Sequence, residues 1–352
     1  MIHDLVLVAG GAGFVGSNLA HRLLSSGTPV RILDDLSRPG VERNLAWLSA
    51  THGELLDPLL GDVRDPGATA RAVRGASAVF QCAAQVAVTT SLLDPIRDFE
   101  VNARGTLNLL EAARRQDPPP FVLFTSTNKV YGPLEDVPLV DVGARYEPVS
   151  PALRQGVDEG RGLSFHSPYG CSKGAAEQYV LDYARTFGVP ATVFRLSCIY
   201  GPRQLGTEDQ GWVAHLLIQA MHGRPITIYG DGKQVRDVLF VDDLVDAFLL
   251  ARERPRALSG RVFNVGGGPS HTTSLLELVE LVAALEGRRP RIVVDDWRVA
   301  DQRWYVSDPR AIQAVTGWEP HTGVREGVSR LHAWLRAQAG LAPRAALGEP
   351  TT

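Results

Sequence analysis

Tyr169 and Lys173, in the stretch SPYGCSKGAAEQY, stand four residues apart at the start of a segment with helical apolar spacing, so both side chains leave one face of a helix. A phenol and an ammonium so placed can act as one base. An isolated tyrosine ionises near pH ~10, too high to take a proton from a hydroxyl at neutrality, but a nearby ammonium and any further cation beside it both favour the phenolate and bring it into useful range. Thr127 ends the apolar run FVLFTST; its hydroxyl can donate to the same reacting oxygen, or it is a plain turn threonine. A Tyr-x-x-x-Lys spacing arises by chance in many helices, so its meaning depends on the elements that carry it.

Those elements begin at Leu5 to Gly16, LVLVAGGAGFVG, an apolar run ending in glycines and entering a helical pattern. Gly10, Gly13 and Gly16 suit a turn of unusual φ, an open backbone against a pyrophosphate, and close helix-to-strand packing, with amides at the helix start facing the phosphates. A glycine-rich turn without a ligand would look similar. A second strand, Pro29 to Leu33, ends in Asp34 about twenty residues on, where a ribose-binding acid belongs. Asp34 repels the 2′-phosphate of NADP, so NAD is expected, whose cationic nicotinamide ring would join the ammonium in favouring the phenolate; Arg38 is either the residue that would reverse this preference or a solvated loop arginine. Further strands are predicted before GDVRD (Gly61 to Asp65), at Ser77 to Ala84, at Phe121 to Ser126 after the breaker Asp117-Pro118-Pro119-Pro120, and at Ala191 to Leu196. Between them lie helices, one holding Asn102, either a clamp on a cofactor loop or a surface amide, and one starting at Tyr169. Residues 133–166 read as a long irregular connection. This alternation predicts an α/β fold, a Rossmann-like doubly wound parallel sheet, whose strand ends carry Thr127 and the glycine turn at one edge.

After Gly201 the pattern changes to a smaller mixed α/β lobe: a helix with Trp212, Leu216 and Leu217, strands at Ile226 to Gly230, Val238 to Val241 and Arg261 to Val265, a helix from Asp242 to Ala251, and a capping box, Ser274 with Glu277. The expected domains are 1–200 for the dinucleotide, with 234–265 returning to it in part, 201–233 and 266–335 for the substrate, and a flexible tail at 340–352. With 44% hydrophobic residues and a net charge of -3, the 352-residue chain lacks the basic excess that nucleic acid needs. Three cysteines without metal-ligand spacing suit a reducing compartment, no metal is expected, and no apolar run approaches a membrane span, so the cytoplasm is expected.

From Leu5 to about Trp318, through GGAGFVG, GDVRD, Asn102, TSTNKVYG, SPYGCSK and RDVLFVDD, the chain resembles the extended short-chain dehydrogenase/reductase superfamily, the nucleotide-sugar epimerases and dehydratases. The resemblance implies a tightly bound, recycled NAD, a Thr127, Tyr169 and Lys173 catalytic set, and transient oxidation of a sugar carbon. It places cofactor contacts at Gly10, Gly13, Phe14, Val15, Asp34, Asp35, Ser37, Arg38, Asp62, Val63, Ala83, Ala84, Asn102, Thr125, Tyr169, Lys173 and Leu196. Substrate contacts would fall at Gln85, Thr127, Asn128, Cys198, Arg203, Gln204, Arg236 and Arg303. Arg236 and Arg303 offer forked donors to a diphosphate or are surface arginines; Arg203 and Gln204 line the sugar pocket or only turn the chain after Pro202; Cys198 and Trp212 are packing residues on the plainer reading. The resemblance also implies a homodimer or homotetramer built on the helices near Asp98 and Tyr169.

Sugar 4,6-dehydratases carry an Asp-Glu pair after the catalytic threonine, to remove a C5 proton and expel the C6 hydroxyl. Here those positions hold Asn128 and Lys129, so elimination lacks its carboxylates unless another, such as Glu135, reaches in. The expected reaction is therefore epimerisation of a nucleotide-diphosphate sugar by hydride removal and return. Through the stretches CIYGPRQLGTEDQGWVAH and DQRWYVSD, the resemblance implies a CDP-hexose inverted at C2, with a UDP-sugar inverted at C4 as the alternative. A dinucleotide-binding sensor or scaffold without catalysis is the non-enzymatic alternative, against which Tyr169 and Lys173 both stand.

Overall fold

The structure, a computed structural model, describes residues 4–299 and 301–341. Its largest element is a parallel sheet of seven strands, and the residue choices show why they pair. Strand β1 (Val6–Ala9) is apolar and buried at every position, as a strand covered on both faces must be. It lies between β2 (Val30–Asp34) and β4 (Ala78–Gln81); β3 (Leu56–Leu60) forms one edge, where Pro58 costs no ladder bond because no strand lies beyond it. On the other side follow β5 (Phe121–Thr127), β8 (Ala191–Leu196) and β12 (Val262–Val265), in the order β12-β8-β5-β4-β1-β2-β3. The strand order reverses at β1, so the crevice above its C-terminal end opens between the connections to β2 and from β4.

Helices cover both faces. Helices α1 (Phe14–Ser25), α2 (Val41–His52) and α9 (Val241–Glu253) lie on one face, with Leu19, Leu23, Leu48, Leu244 and Phe248 packed on the sheet. On the other face lie α3 (Pro66–Val73), α6 (Gly105–Arg114) and α7 (Ser167–Phe187), with Ala72, Leu109, Leu110, Ala176 and Val180 buried. Short helices α4 (Val88–Leu93) and α5 (Pro95–Phe99) precede a π-turn, Glu100–Arg104, that runs into α6.

The smaller part is built on β9 (Cys198–Tyr200) and β11 (Val235–Phe240), which pair in parallel, with β13 (Thr272–Ser274) and β15 (Trp304–Tyr305) on the rest of β11. Strands β10 (Ile226–Tyr229) and β14 (Ile292–Asp295) pair separately. Helices α8 (Trp212–Met221), α11 (Leu275–Glu286) and α13 (Val324–Gln338) share a core with them through Leu217, Val282 and Leu331. The capping box of α11 forms both bonds: Glu277 N donates to Ser274 Oγ at 3.1 Å and Ser274 N to Glu277 Oε2 at 2.8 Å. Strand β11 belongs to the small sheet, while α9 and β12 return to the large one; the boundary differs from the sequence expectation at α12 (Arg310–Thr316) and Trp318, which pack on the large sheet's core because Ile312 and Trp318 complete the apolar layer around α9. Helix α10 (Pro255–Leu258) links α9 to β12. The connection 133–166 carries a small hairpin, β6 (Leu139–Asp141) and β7 (Tyr146–Pro148), and a single-turn helix at Pro151–Gln155. The tail expected at 340–352 lies, from 342 onward, outside the described residues.

Candidate active site

The glycine turn has the three geometries its spacing asks for. Gly10 has φ +74°, and a Cβ there would stand 2.6 Å from Ala83 N, so the turn lies directly on the chain leaving β4. A Cβ on Gly16 would meet Gly10 O at 2.2 Å, whereas one on Gly13 would meet only Gly10 O, at 3.1 Å. Gly13 caps α1, whose first turn carries no acidic residue. Open backbone at a helix start, with no acidic residue in the helix's own first turn, is a seat for phosphate. At the end of β2, Asp34 accepts from Ala12 N at 3.0 Å and Leu36 N at 2.9 Å, which ties the ribose end of the crevice to the glycine turn; burial raises its carboxyl above the ordinary range. Asp35 accepts from Ser37 N and Oγ. Asp62 is paired with Arg64, which lowers its carboxyl, and the carbonyl of Val63 accepts from Asn108 at 3.0 Å.

The crevice continues into a cavity of about 530 Å³ lined on the cofactor side by Phe14, Val15, Ala84, Thr125, Leu196, Tyr169 and Lys173. Thr127 is the last residue of β5 and Tyr169 lies in the first turn of α7, and both line the cavity, where the threonine hydroxyl favours the ionised phenol. Lys173, only 2% exposed, stands 4.1 Å above the Phe124 ring. Burial dominates both ionisations. It pushes the Tyr169 phenol up to about 12, with the Thr127 hydroxyl opposing, and lowers the Lys173 ammonium to about 7, against the attraction of Cys82, Asp98 and Glu177. The ammonium does not by itself bring the phenol into range: both charged forms lose solvation, and that loss exceeds what the pair returns, which leaves the rest to the nicotinamide ring the sequence reading also invokes. A further positive charge against the phenol is what ionises it, and an oxidised nicotinamide carries one.

Asn102 is a clamp and not a surface amide. It is fully buried in the π-turn, accepts from Gln85 N at 2.9 Å, and donates to Gln85 O at 3.0 Å, Asp98 Oδ1 at 3.1 Å and Ser172 Oγ at 3.0 Å. It thus joins the loop after β4 to the residue before Lys173, and the extra residue of the π-turn is what directs it there. Sequence reasoning missed its partners Asp98 and Ser172, which hydrogen-bond each other, and Ser91, whose Oγ accepts from Tyr169 N at 3.2 Å. Nothing in their spacing marks them. Gln85 turns its side chain to Asp98 and to the backbone of Ala87, away from the cavity lining where a substrate contact would need it.

The substrate half is lined by Asn128, Lys129, Cys198, Gln204, Trp212, Gln234, Arg236 and Asp301, among others. Gln204 Oε1 and Gln234 Oε1 are buried there without a hydrogen-bond partner, and these acceptors suit the hydroxyls of a polar ligand. Asn128 lies between Thr127 Oγ1 at 3.3 Å and Gln302 at 3.4 Å. Two predicted substrate residues lie elsewhere: Arg203 stacks on Trp47 at 3.5 Å, and Arg303 stands 5.1 Å over Trp297; neither lines the cavity. Glu135 is exposed and also off the lining; sequence reasoning missed the lining carboxylates Glu208, Asp209 and, beside Arg236, Asp301. Arg236 Nη2 donates to it at 2.7 Å, and Arg236 and Lys129 hold its carboxyl below the usual range despite burial. Arg38 is neither a solvated arginine nor directed at a ribose: it bonds Gln210 and, at 3.3 Å, Leu205 O, so the segment 201–211 is strapped to the cofactor-side loop. Asn18 adds a bond to Pro202 O at 3.0 Å.

This crevice, clamp and Thr-Tyr-Lys cavity define a dinucleotide-dependent enzyme of the short-chain dehydrogenase type. Residues 6–266 match the NAD dependent epimerase/dehydratase family, and the chain belongs to it. It is 41% identical over 336 residues to the CDP-paratose 2-epimerase of Salmonella typhi, covering 94% of this chain and 98% of that one. Among solved structures, the UDP-glucose 4-epimerase of Thermotoga maritima with UDP-glucose superposes with a TM-score of 0.81 at 31% identity, over 95% of this chain and 99% of that one. The UDP-glucose 4-epimerase of Thermus thermophilus in complex with NAD gives 0.79 at 32% identity, over 94% and 99%. The cofactor is NAD, and Gly10, Gly13, Asp34 and Asn102 stand where the fold would hold it.

Proposed function

We propose that this NAD-dependent nucleotide-sugar epimerase inverts C2 of a CDP-hexose. The observation that carries the reading is the cavity itself: Thr127, Tyr169 and Lys173 converge on it, and the next two positions, Asn128 and Lys129, bring no carboxylate to the reacting carbon. The 41% identity to a CDP-paratose 2-epimerase supports the base and the carbon. When bound, NAD supplies a hydride acceptor and a positive ring beside the phenol. Tyr169, ionised there, takes the proton of the sugar hydroxyl as the carbon's hydrogen leaves as hydride; Thr127 donates to the same oxygen. Lys173, its ammonium lowered by burial to about 7, faces the reaction from the side of Phe124 and, when protonated, stabilises the phenolate. The ketone turns over in the cavity, hydride returns to its other face, and Tyr169 gives the proton back. Asp301, held by Arg236, is a poor base for the acidic hydrogens beside the ketone.

Turnover in D2O tests the chemistry: the inverted carbon keeps its original hydrogen, and deuterium there refutes hydride return. A second reading, C4 inversion of a UDP-hexose, is favoured by the two structural relatives above. NMR of the products from CDP-paratose and UDP-glucose separates them.

We also propose a homodimer, alone or paired into a tetramer, through α4, α5 and α7. Leu93 is 87% exposed and Ile96 76%, with Phe99, Tyr179 and Phe187 half exposed on neighbouring helices, an apolar surface that a second copy would cover. Light scattering at the monomer mass would contradict it. Among the described residues no helix is long and apolar enough to cross a membrane, and the three cysteines are unpaired, which suits the cytoplasm.

A further inference from the structure

Beyond Thr127 the cavity wall sets two cations against a single carboxylate, while Arg298 pairs separately with Glu208 and Asp209. Lys129 and Arg236 line it from different elements, and Asp301 stands between them: its Oδ1 accepts from Arg236 at 2.7 Å and lies 3.9 Å from Lys129 Nζ. Two cations share one carboxylate, so an anion entering the cavity meets a partner for its charge. Lys129 is also tied to the catalytic oxygen. Its backbone N–H donates to Thr127 Oγ1 at 3.2 Å, because Thr127 caps the single turn Asn128–Tyr131 that Lys129 belongs to.

That tether gives the ammonium a consequence for regiochemistry. In a nucleoside-diphosphate hexose the β-phosphorus is four bonds from the C2 hydroxyl oxygen and six from the C4 hydroxyl oxygen. A cation whose backbone is anchored on the catalytic threonine, and whose ammonium lies 3.9 Å from Asp301 on the same wall, holds a phosphate on the threonine's side of the cavity, which the shorter path satisfies and the longer one does not. We propose that Lys129 is a positioning residue whose ammonium takes an oxygen of the β-phosphate and so sets C2, and not C4, against Thr127 and Tyr169. The inference rests on the C2 reading above. Asp301 orients both cations along the diphosphate while remaining too well paired to act as a base.

The test uses the NAD-containing enzyme, CDP as binding probe, and CDP-paratose and UDP-glucose as substrates. K129M is expected to weaken CDP binding about tenfold or more, the loss of one charge-assisted hydrogen bond. K129R keeps the charge but carries it farther from the backbone; it is expected to bind CDP within about threefold of wild type and still to lose C2 inversion about tenfold. Calorimetric titration and product NMR read the two effects separately, and K129R keeps the test alive should K129M fail to fold. Wild-type inversion of C2 together with unchanged CDP affinity in K129M, or unchanged C2 turnover in K129R, overturns the inference alone. Inversion of UDP-glucose at C4 by the wild type, with CDP-paratose left unchanged, overturns the C2 reading and the inference together.

Discussion

Replacing Lys173 by methionine should abolish turnover and stabilise the fold. The lysine is 2% exposed and its ammonium is lowered from 10.5 to about 7 by burial, a difference worth about 5 kcal/mol between folded and unfolded chains. The unfolded chain holds that proton up to pH ~10.5 and the folded chain sheds it near 7, so between these values the unfolded state binds more protons and stability rises with pH. At pH 7 nearly the whole penalty stands. Methionine removes it but also removes the cation over Phe124 at 4.1 Å, worth about 0.5–2 kcal/mol. Relaxation around a buried ammonium trims the penalty further, which leaves a net gain of about 2–4 kcal/mol at pH 7. Urea unfolding of both proteins from pH 6 to pH 10, at matched NAD content, should show the gap closing as pH rises. A methionine variant no more stable than wild type at pH 7, or one whose advantage is independent of pH, would refute the assignment of Lys173 as a strained, desolvated base partner.

Tyr169→Phe should keep its NAD and lose about 10²–10⁴ in kcat, read by product NMR, because only the proton acceptor is removed. Gly10→Ala should lose bound NAD, measured by absorbance after denaturation, since its Cβ would stand 2.6 Å from Ala83 N in a φ +74° conformation. Arg195→Met should cost about 3–5 kcal/mol in urea unfolding by stranding Glu177, whose side chain is fully buried, while Arg195→Met with Glu177→Leu recovers much of that loss.

What could be read from sequence was whatever depends on near neighbours. The glycine turn, the helix-face pairing of Tyr169 with Lys173 and the capping box of α11 are set by residues within a few positions, so type and spacing determine them. Contacts between distant segments were not legible. Asn102 becomes a clamp only because α4, α5 and α7 bring Gln85, Asp98 and Ser172 around it, and Arg38 becomes a strap only because residues 205–210 pass over the loop after β2. Arg203 follows the same logic in reverse. Its position after Pro202 suggested a pocket, but at φ +71° the side chain leaves the cavity and stacks on Trp47 of α2.

The ionisation of Tyr169 shows why such distant contacts matter to the chemistry. From sequence, a helix-face ammonium and the cationic nicotinamide ring both favour the phenolate, with no way to weigh one against the other. The fold buries the phenol and the ammonium in the same wall, and a shared loss of solvation drives each toward its neutral form, to about 12 for the phenol and about 7 for the amine. A site arranged this way is quiet until positive charge arrives from outside the protein. Bound NAD would supply such a charge in its oxidised form and not in its reduced form, so Tyr169 would be held as phenolate with the first and as phenol with the second. The proton taken from the sugar oxygen is therefore retained at Tyr169 while the ketone turns over, and is on hand when hydride returns.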